Sequence, residues 1–132
     1  MAKLTYPSSD ELTGIELEIT RLGKEIVAHV NVHRFQLPSS EDDGGSATLT
    51  IGTDCLKKTF IIPLLEGRQR ARLTDNCLEY LLQNLELKAS VTLSSGHFSA
   101  TLNASNFKRH YDAFLRKASI IQPRSTIDLE LF

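Results

Sequence analysis

The sequence has few cysteines and no long apolar run. Cys55 and Cys77 are its only cysteines among 132 residues, and they lack the CxxC spacing of a zinc ligand pair. Neither a disulfide framework nor a zinc site is therefore expected. No apolar run approaches the ~20 residues that span a bilayer, and residues 1–14 lack the apolar core of a signal peptide. We expect a cytoplasmic protein in a reducing compartment.

A large excess of charge of either sign is also absent. Lys and Arg number 15 and Asp and Glu number 16, which gives a net charge of −1. No overall field therefore draws the protein to nucleic acid or to an anionic membrane. The proportions of 41% hydrophobic and 23% charged residues are typical of globular proteins. The length fits one domain, so residues 1–132 are predicted to fold as a single unit.

Several motifs that carry chemistry are missing. The sequence contains no GxSxG nucleophile motif, no HExxH, no GxGxxG and no GxxxxGK[ST]. His29 and His33 would share one face of a strand, but four residues of strand separate them by about 13 Å, too far to chelate one metal ion. Cys77 falls on the apolar face of a predicted helix and is expected in the core. We therefore predict no catalytic residue, no metal, no cofactor and no enzymatic activity.

Apolar residues alternate with polar ones along several segments, which is the pattern of half-buried strands. The first four predicted strands are residues 14–20, 25–37, 47–51 and 57–65. Gly23 supplies a turn between the first two, and Pro63 indicates an edge position or a strand end. Residues 39–46 are polar and rich in glycine, so they are predicted to form a mobile loop between strands.

Two segments have helical periodicity. Residues 75–86 place Leu78, Leu81 and Leu85 on one face behind Thr74 as N-cap, and residues 105–118 do the same with Phe107 and Phe114. Between these helices, apolar and polar residues alternate along residues 89–93 and 98–102, which predicts a second hairpin. The order ββββ-α-ββ-α favours an α+β fold, with a mainly antiparallel sheet of about six strands and two helices packed on it.

Two groups of basic residues are candidates for contact with an anion or a nucleic acid. Arg68, Arg70 and Arg72 alternate, so an extended backbone would line three guanidinium groups on one side, just before the first helix. The second helix adds Lys108, Arg109, Arg116 and Lys117, with Asp112 among them. The alternative, an ordinary solvated surface, is favoured because the net charge adds nothing to these patches.

The C-terminal tail, residues 121–132, ends in apolar residues. Leu129, Leu131 and Phe132 resemble the short LxLF peptide by which many bacterial replication and repair proteins dock on the sliding clamp, although Thr126 stands where that peptide has glutamine. The resemblance implies partner binding through these three residues. The alternative is a last strand, since Ile127, Leu129 and Leu131 also alternate with polar residues, and we favour that strand.

The sequence thus predicts a non-catalytic interaction module that binds another protein as an adaptor, chaperone-like partner or regulator. A homodimer through an open sheet edge or the second helix is one form of this hypothesis. The alternative is a nucleic-acid-associated replication or repair accessory protein, which would use the basic patch for backbone contact and the tail for docking.

Overall fold

The computed structural model describes residues 2–8, 10, 12–40, 43–54, 56–87, 90–105, 107–119 and 127–130. This part of the chain contains ten strands and two helices. The strands are β1 (Ala2–Tyr6), β2 (Glu16–Leu22), β3 (Glu25–Asn31), β4 (Ser39–Ser40), β5 (Asp43–Gly52), β6 (Lys57–Pro63), β7 (Arg70–Arg72), β8 (Val91–Ser95), β9 (Phe98–Leu102) and β10 (Ile127–Glu130). The helices are α1 (Asp75–Glu86) and α2 (Phe107–Ser119).

The strands form two five-stranded sheets rather than the single sheet of about six strands that we expected. The first sheet, sheet A, has the order β10-β1-β2-β3-β7, and the second, sheet B, contains β4, β5, β6, β8 and β9. All strand pairs are antiparallel except β1 and β10. The α+β class with mainly antiparallel pairing is confirmed. Period-two alternation shows which side chains face the core, but it does not show which strands pair, so the division into two sheets was not predictable.

The inner faces of both sheets and the apolar faces of both helices contribute to one cluster of buried residues. Helix α1 begins after Thr74, whose hydroxyl accepts a hydrogen bond from the Cys77 amide at 3.4 Å, as the sequence predicts. Helix α2 buries Phe107, Tyr111 and Phe114, whose rings stack at centroid distances of 5.2 and 5.7 Å. Both predicted helices are therefore confirmed, to within two residues at each end.

Tight turns join the strands of two hairpins. Leu22 pairs with Glu25, and Ser95 pairs with Phe98, which leaves two residues in each connection. The first of these is glycine in both turns, with φ of 60° at Gly23 and 59° at Gly96. Glycine adopts this left-handed region without steric cost, so both predicted hairpins are confirmed together with the glycine that turns them.

The predicted mobile loop at 39–46 is wrong for its described residues. Ser39–Ser40 is β4, and residues 43–46 begin β5, with Ser39 paired to Ala47. Backbone hydrogen bonds do not require apolar side chains, so a polar stretch can still form a ladder. The predicted strand 25–37 is also too long, because β3 ends at Asn31.

Two core substitutions should destabilise the fold strongly. Leu81 and Phe114 are fully buried at the centres of the two helical faces. Leu81→Ala and Phe114→Ala each leave a cavity, so we expect each to lower the free energy of unfolding by about 2 to 5 kcal/mol in denaturant titrations. Leu12→Ala is the control, since Leu12 is 51% exposed. Equal midpoints for all three variants would contradict this packing.

Candidate functional site

The outer face of sheet A carries a network of charged and polar side chains centred on Glu18. This carboxylate is only 12% exposed and lies 3.3 Å from Lys3 Nζ and 3.1 Å from Arg70 Nη2. Asn31 Nδ2 donates to its second oxygen at 3.2 Å. Strand register explains the grouping, because Glu18 lies opposite His29 on β3 and Asn31 lies opposite Arg70 on β7. In this network Glu18 neutralises the charge of Arg70, a residue that the sequence pattern indicates as a candidate for anion contact.

The predicted row of three arginines is only partly formed. Arg70 and Arg72 share the outer face of β7, but Arg70 pairs with Glu18, and Arg72 lies 3.4 Å from Glu25. Arg68 lies outside the strand with φ of 58°, which turns its side chain away from this row. Its guanidinium instead donates to Ser39 Oγ at 3.0 Å and to the Gly44 carbonyl at 2.9 Å. Arg68 therefore holds the β4–β5 hairpin.

The surroundings of His29 favour its neutral form. Burial lowers its pKa from the ordinary value of 6.5, Arg70 and Arg72 act in the same direction, and Glu18 opposes them. Three buried atoms of this network, His29 Nδ1, Asn31 Oδ1 and Arg70 Nε, have no hydrogen-bond partner among the described residues. A proton added to His29 would face two neighbouring arginines, so the network is sensitive to acid.

Stability should therefore fall in mild acid. Because the folded pKa of His29 lies below its unfolded value, the unfolded chain takes up more protons as the pH falls below about 6.5, and the stability due to His29 is lost down to its folded pKa. We expect the melting temperature of the native protein to drop more between about pH 7.5 and pH 5.5 than that of His29→Gln. His97→Gln, at an exposed histidine outside the network, is the control. An equal drop in all three proteins would contradict this role.

The described basic side chains of α2 lie on its solvent side. Lys108 and Arg109 are exposed, Arg116 is exposed near Asp112, and Lys117 follows in the same helix. Arg70 and Arg72 lie on the outer face of sheet A, whereas α2 packs its apolar side chains into the core on the inner side of that sheet. The two basic groups therefore belong to different surfaces of the described residues.

The described part of the tail forms an edge strand of sheet A. Residues 127–130 are β10, which pairs in parallel with β1 and places Leu129 opposite Leu4. The favoured strand alternative is thus confirmed for the backbone of these four residues. Leu131 and Phe132, and the rest of the tail at 121–126, lie outside the described residues, so partner binding by Leu129, Leu131 and Phe132 stays a prediction.

Removal of the tail tests its structural role. Truncation after Thr126 deletes β10 and leaves β1 without its parallel partner. Ladder hydrogen bonds contribute about 0.5 to 1.5 kcal/mol each, and a loss of 1 kcal/mol lowers the melting temperature of a chain this size by roughly 4 °C. We expect a drop of several degrees, whereas Leu131→Ala/Phe132→Ala, which keeps the four paired residues, should melt higher than the truncation. A truncated protein that melts like the intact one would contradict a structural strand.

The outer edge of sheet B is formed by β6. Its C-terminal end meets β7 through a bridge between Leu64 and Ala71, but from Lys57 to Ile61 its second side has no strand partner among the described residues. Strand β5 pairs with β6 along its length, and with β4 and β8 on its other side. The Leu64 amide donates to Gly45 at 2.8 Å and the Thr53 amide to Leu56 at 2.8 Å, which fixes the phase of this antiparallel ladder. In such a ladder hydrogen-bonded and non-bonded pairs alternate. The backbone groups of Lys57, Thr59 and Ile61 therefore face away from β5.

Pro63 fits the same alternation of hydrogen-bonded and non-bonded pairs. Its missing N–H falls on the side away from β5, so the ladder loses no hydrogen bond, which agrees with the predicted edge position. Ile61 is 59% exposed and Leu56 is 68% exposed, so large apolar side chains border this edge. Lys57 is exposed beside them, and Lys58 Nζ lies 5.4 Å above the Phe60 ring and 5.3 Å above that of Tyr80. Sequence reasoning named none of these residues as a site, although Pro63 pointed to the edge.

Two chemical features of the described residues are the thiol of Cys77 and the arrangement of possible metal ligands. Cys77 is fully buried, and burial raises its thiol pKa to about 12, so it is not a nucleophile at neutral pH. No group of three or more His, Cys, Asp or Glu side chains in the described ranges is placed to hold a metal ion. Neither of the two described helices is long and apolar enough to cross a membrane.

Comparison with known proteins adds no assignment. No protein-family model matches the chain, and neither a curated protein nor a solved structure matches it significantly. The functional interpretation therefore depends on the surfaces of the molecule itself.

Proposed function

We propose that this protein is a non-catalytic interaction module of the cytoplasm that binds an extended segment of another protein along β6. The observation that carries the proposal is the open edge, where the N–H and C=O groups of Lys57, Thr59 and Ile61 face away from β5. An extended peptide that adds a strand to such an edge gains main-chain hydrogen bonds, while side-chain contacts give specificity.

The side chains along β6 determine which side chains on a partner strand would complement this edge. Ile61 and Leu56 offer exposed apolar surface at the two ends of the edge, and Lys57 adds an exposed positive charge. A segment with alternating apolar and acidic residues complements this edge. Natural proteins usually protect long edges with charge, proline or a covering element. Here the lysines and Pro63 reduce nonspecific pairing of other strands with β6, while the residues at the centre of β6 remain accessible.

The pairing of the arginines favours this function over the nucleic-acid alternative. Arg70 and Arg72 are engaged with Glu18 and Glu25, and Arg68 is engaged with Ser39 and Gly44. Binding a phosphate backbone would therefore have to displace existing partners, which reduces its net gain. The basic residues of α2 alone offer a short patch that includes Asp112.

A backbone substitution tests the edge directly. Thr59→Pro removes an N–H that faces away from β5, so the β5–β6 ladder is retained while a strand added along β6 loses a hydrogen bond and meets the proline ring. Thr59→Ala is the matched control, since both variants lose the contact between Thr59 Oγ1 and Thr50 Oγ1. The probe is an array of immobilised heptapeptides that alternate apolar and acidic residues.

We expect the native protein and Thr59→Ala to bind a common subset of these peptides, and Thr59→Pro to lose at least about tenfold in affinity, which corresponds to 1.4 kcal/mol. A duplex DNA oligonucleotide, titrated at low and high salt, serves as the second probe. Peptide binding that survives Thr59→Pro, or an array with no bound peptide, would contradict the proposal. Tight DNA binding that weakens steeply with salt would favour the alternative.

A further inference from the structure

The end of the molecule that contains the β2–β3 turn has an acidic groove along α1. Its apolar floor is formed by Ile26, Leu78 and Leu82, and its rim carries Asp75, Glu79 and Glu86. Helix α1 contains no lysine or arginine to neutralise this rim. The groove therefore combines an apolar surface with three carboxylates.

Helix α2 carries a groove of the opposite charge. It is lined by one apolar side chain, Leu115, and by the charged side chains of Arg109, Asp112 and Arg116. Leu115 is only partly buried where it packs against the core. Like the first groove, this second groove combines apolar and charged side chains, but its positive charges outnumber its negative one.

The two grooves lie next to each other on the same end of the protein. Arg21 on β2 pairs with Ile26 on β3, and its Nη1 donates to the Leu115 carbonyl at 3.2 Å. Cross-strand neighbours have Cβ atoms about 5 Å apart, so Arg21 adjoins Ile26 in the floor of the acidic groove, and its side chain reaches the backbone of the basic groove. Leu22 follows Arg21 at the hairpin turn and is 54% exposed, and Leu87 follows Glu86 at the end of α1 and is 77% exposed.

We propose that this surface, which we call the hairpin end, binds a second copy of the chain in a two-fold symmetric dimer. In an isologous contact the same surface is used by both copies, so the acidic groove of each faces the basic groove of the other, and the contact is made twice. The exposed leucines then become buried at the centre, where interfaces are most apolar, while the charges form the rim.

The charge pattern is what selects a second copy over another partner. A basic partner would fit the α1 groove but be repelled at α2, and an acidic partner would show the reverse. Two adjacent patches of opposite sign complement themselves through one rotation, so two copies with the same net charge can still attract each other. This inference is independent of the proposed function, because no residue of β6 takes part in it.

The test is the molecular mass in solution, measured by sedimentation velocity on the full chain. At about 100 μM protein and low ionic strength we expect a species of twice the chain mass of 14.7 kDa. Because salt screens charges at the rim, the dimer dissociation constant should rise by about tenfold or more at about 0.5 M salt. A native protein that stays monomeric at low ionic strength would overturn the proposal.

Charge reversal gives the decisive comparison. Glu79→Lys/Glu86→Lys makes both grooves basic, and Arg109→Glu/Arg116→Glu makes both acidic, so each variant alone should be monomeric. An equal mixture of the two should dimerise again, since every groove then faces one of opposite charge. Glu66→Lys and Lys57→Glu, exposed charges away from the hairpin end, are controls that should dimerise like the native protein.

Three further results would overturn the proposal. These are dimers of either reversed variant alone, failure of the mixture to dimerise when both components keep native circular dichroism and melting behaviour, and loss of the dimer in Thr59→Pro. The last result would assign the dimer contact to β6 instead. A reversed variant that fails to fold is replaced by its single substitutions, Glu79→Lys and Arg109→Glu, to which the same expectations apply.

Discussion

The apolar faces of two sheets and two helices must be buried in one core, and this constraint determines which groups remain for function. Along β5, Ala47, Leu49 and Ile51 are buried, while Thr48 and Thr50 alternate with them on the outside. Strand β5 has strand partners on both sides, whereas residues 57–61 of β6 have a strand partner on one side only among the described residues. Among the described residues, burial of the core thus leaves a row of backbone groups at the edge of sheet B without a strand partner.

The same constraint places charge on the outer face of sheet A, where it is then neutralised internally. Glu18 receives Lys3, Arg70 and Asn31 from three different strands, and a carboxylate with so little exposure requires such partners. The arginines that look like an anion site in the sequence are therefore part of the folded sheet. Among the described residues, the surfaces that we propose for partners are the β6 edge, which offers backbone groups, and the hairpin end, which offers charges of both signs and exposed leucines.

Local signals in the sequence predicted local structure well. Thr74 and the spacing of Cys77, Leu81 and Leu85 predicted α1 with its cap, because capping and helical periodicity depend on residues close in the chain. Pairings between distant segments were not predictable. The short strands β1, β4 and β7 were missed, since each is completed by a partner elsewhere, and Arg68 was misplaced in a row because its positive φ breaks the extended backbone. In the sequence, Pro63 indicated an edge position for β6 or a strand end. The edge itself could not be predicted further, since it depends on how all strands of the sheet pair.

The central claim, that β6 presents a free edge, is tested most directly by hydrogen exchange of its backbone amides in dilute protein. The phase of the β5–β6 ladder predicts slow exchange for Phe60 and Ile62, whose amides face β5, and fast exchange for Thr59 and Ile61, whose amides face away. This alternation is expected in the free protein. Four equally protected amides would show that another element covers the edge, and β6 would then have no free backbone groups with which to bind a partner strand.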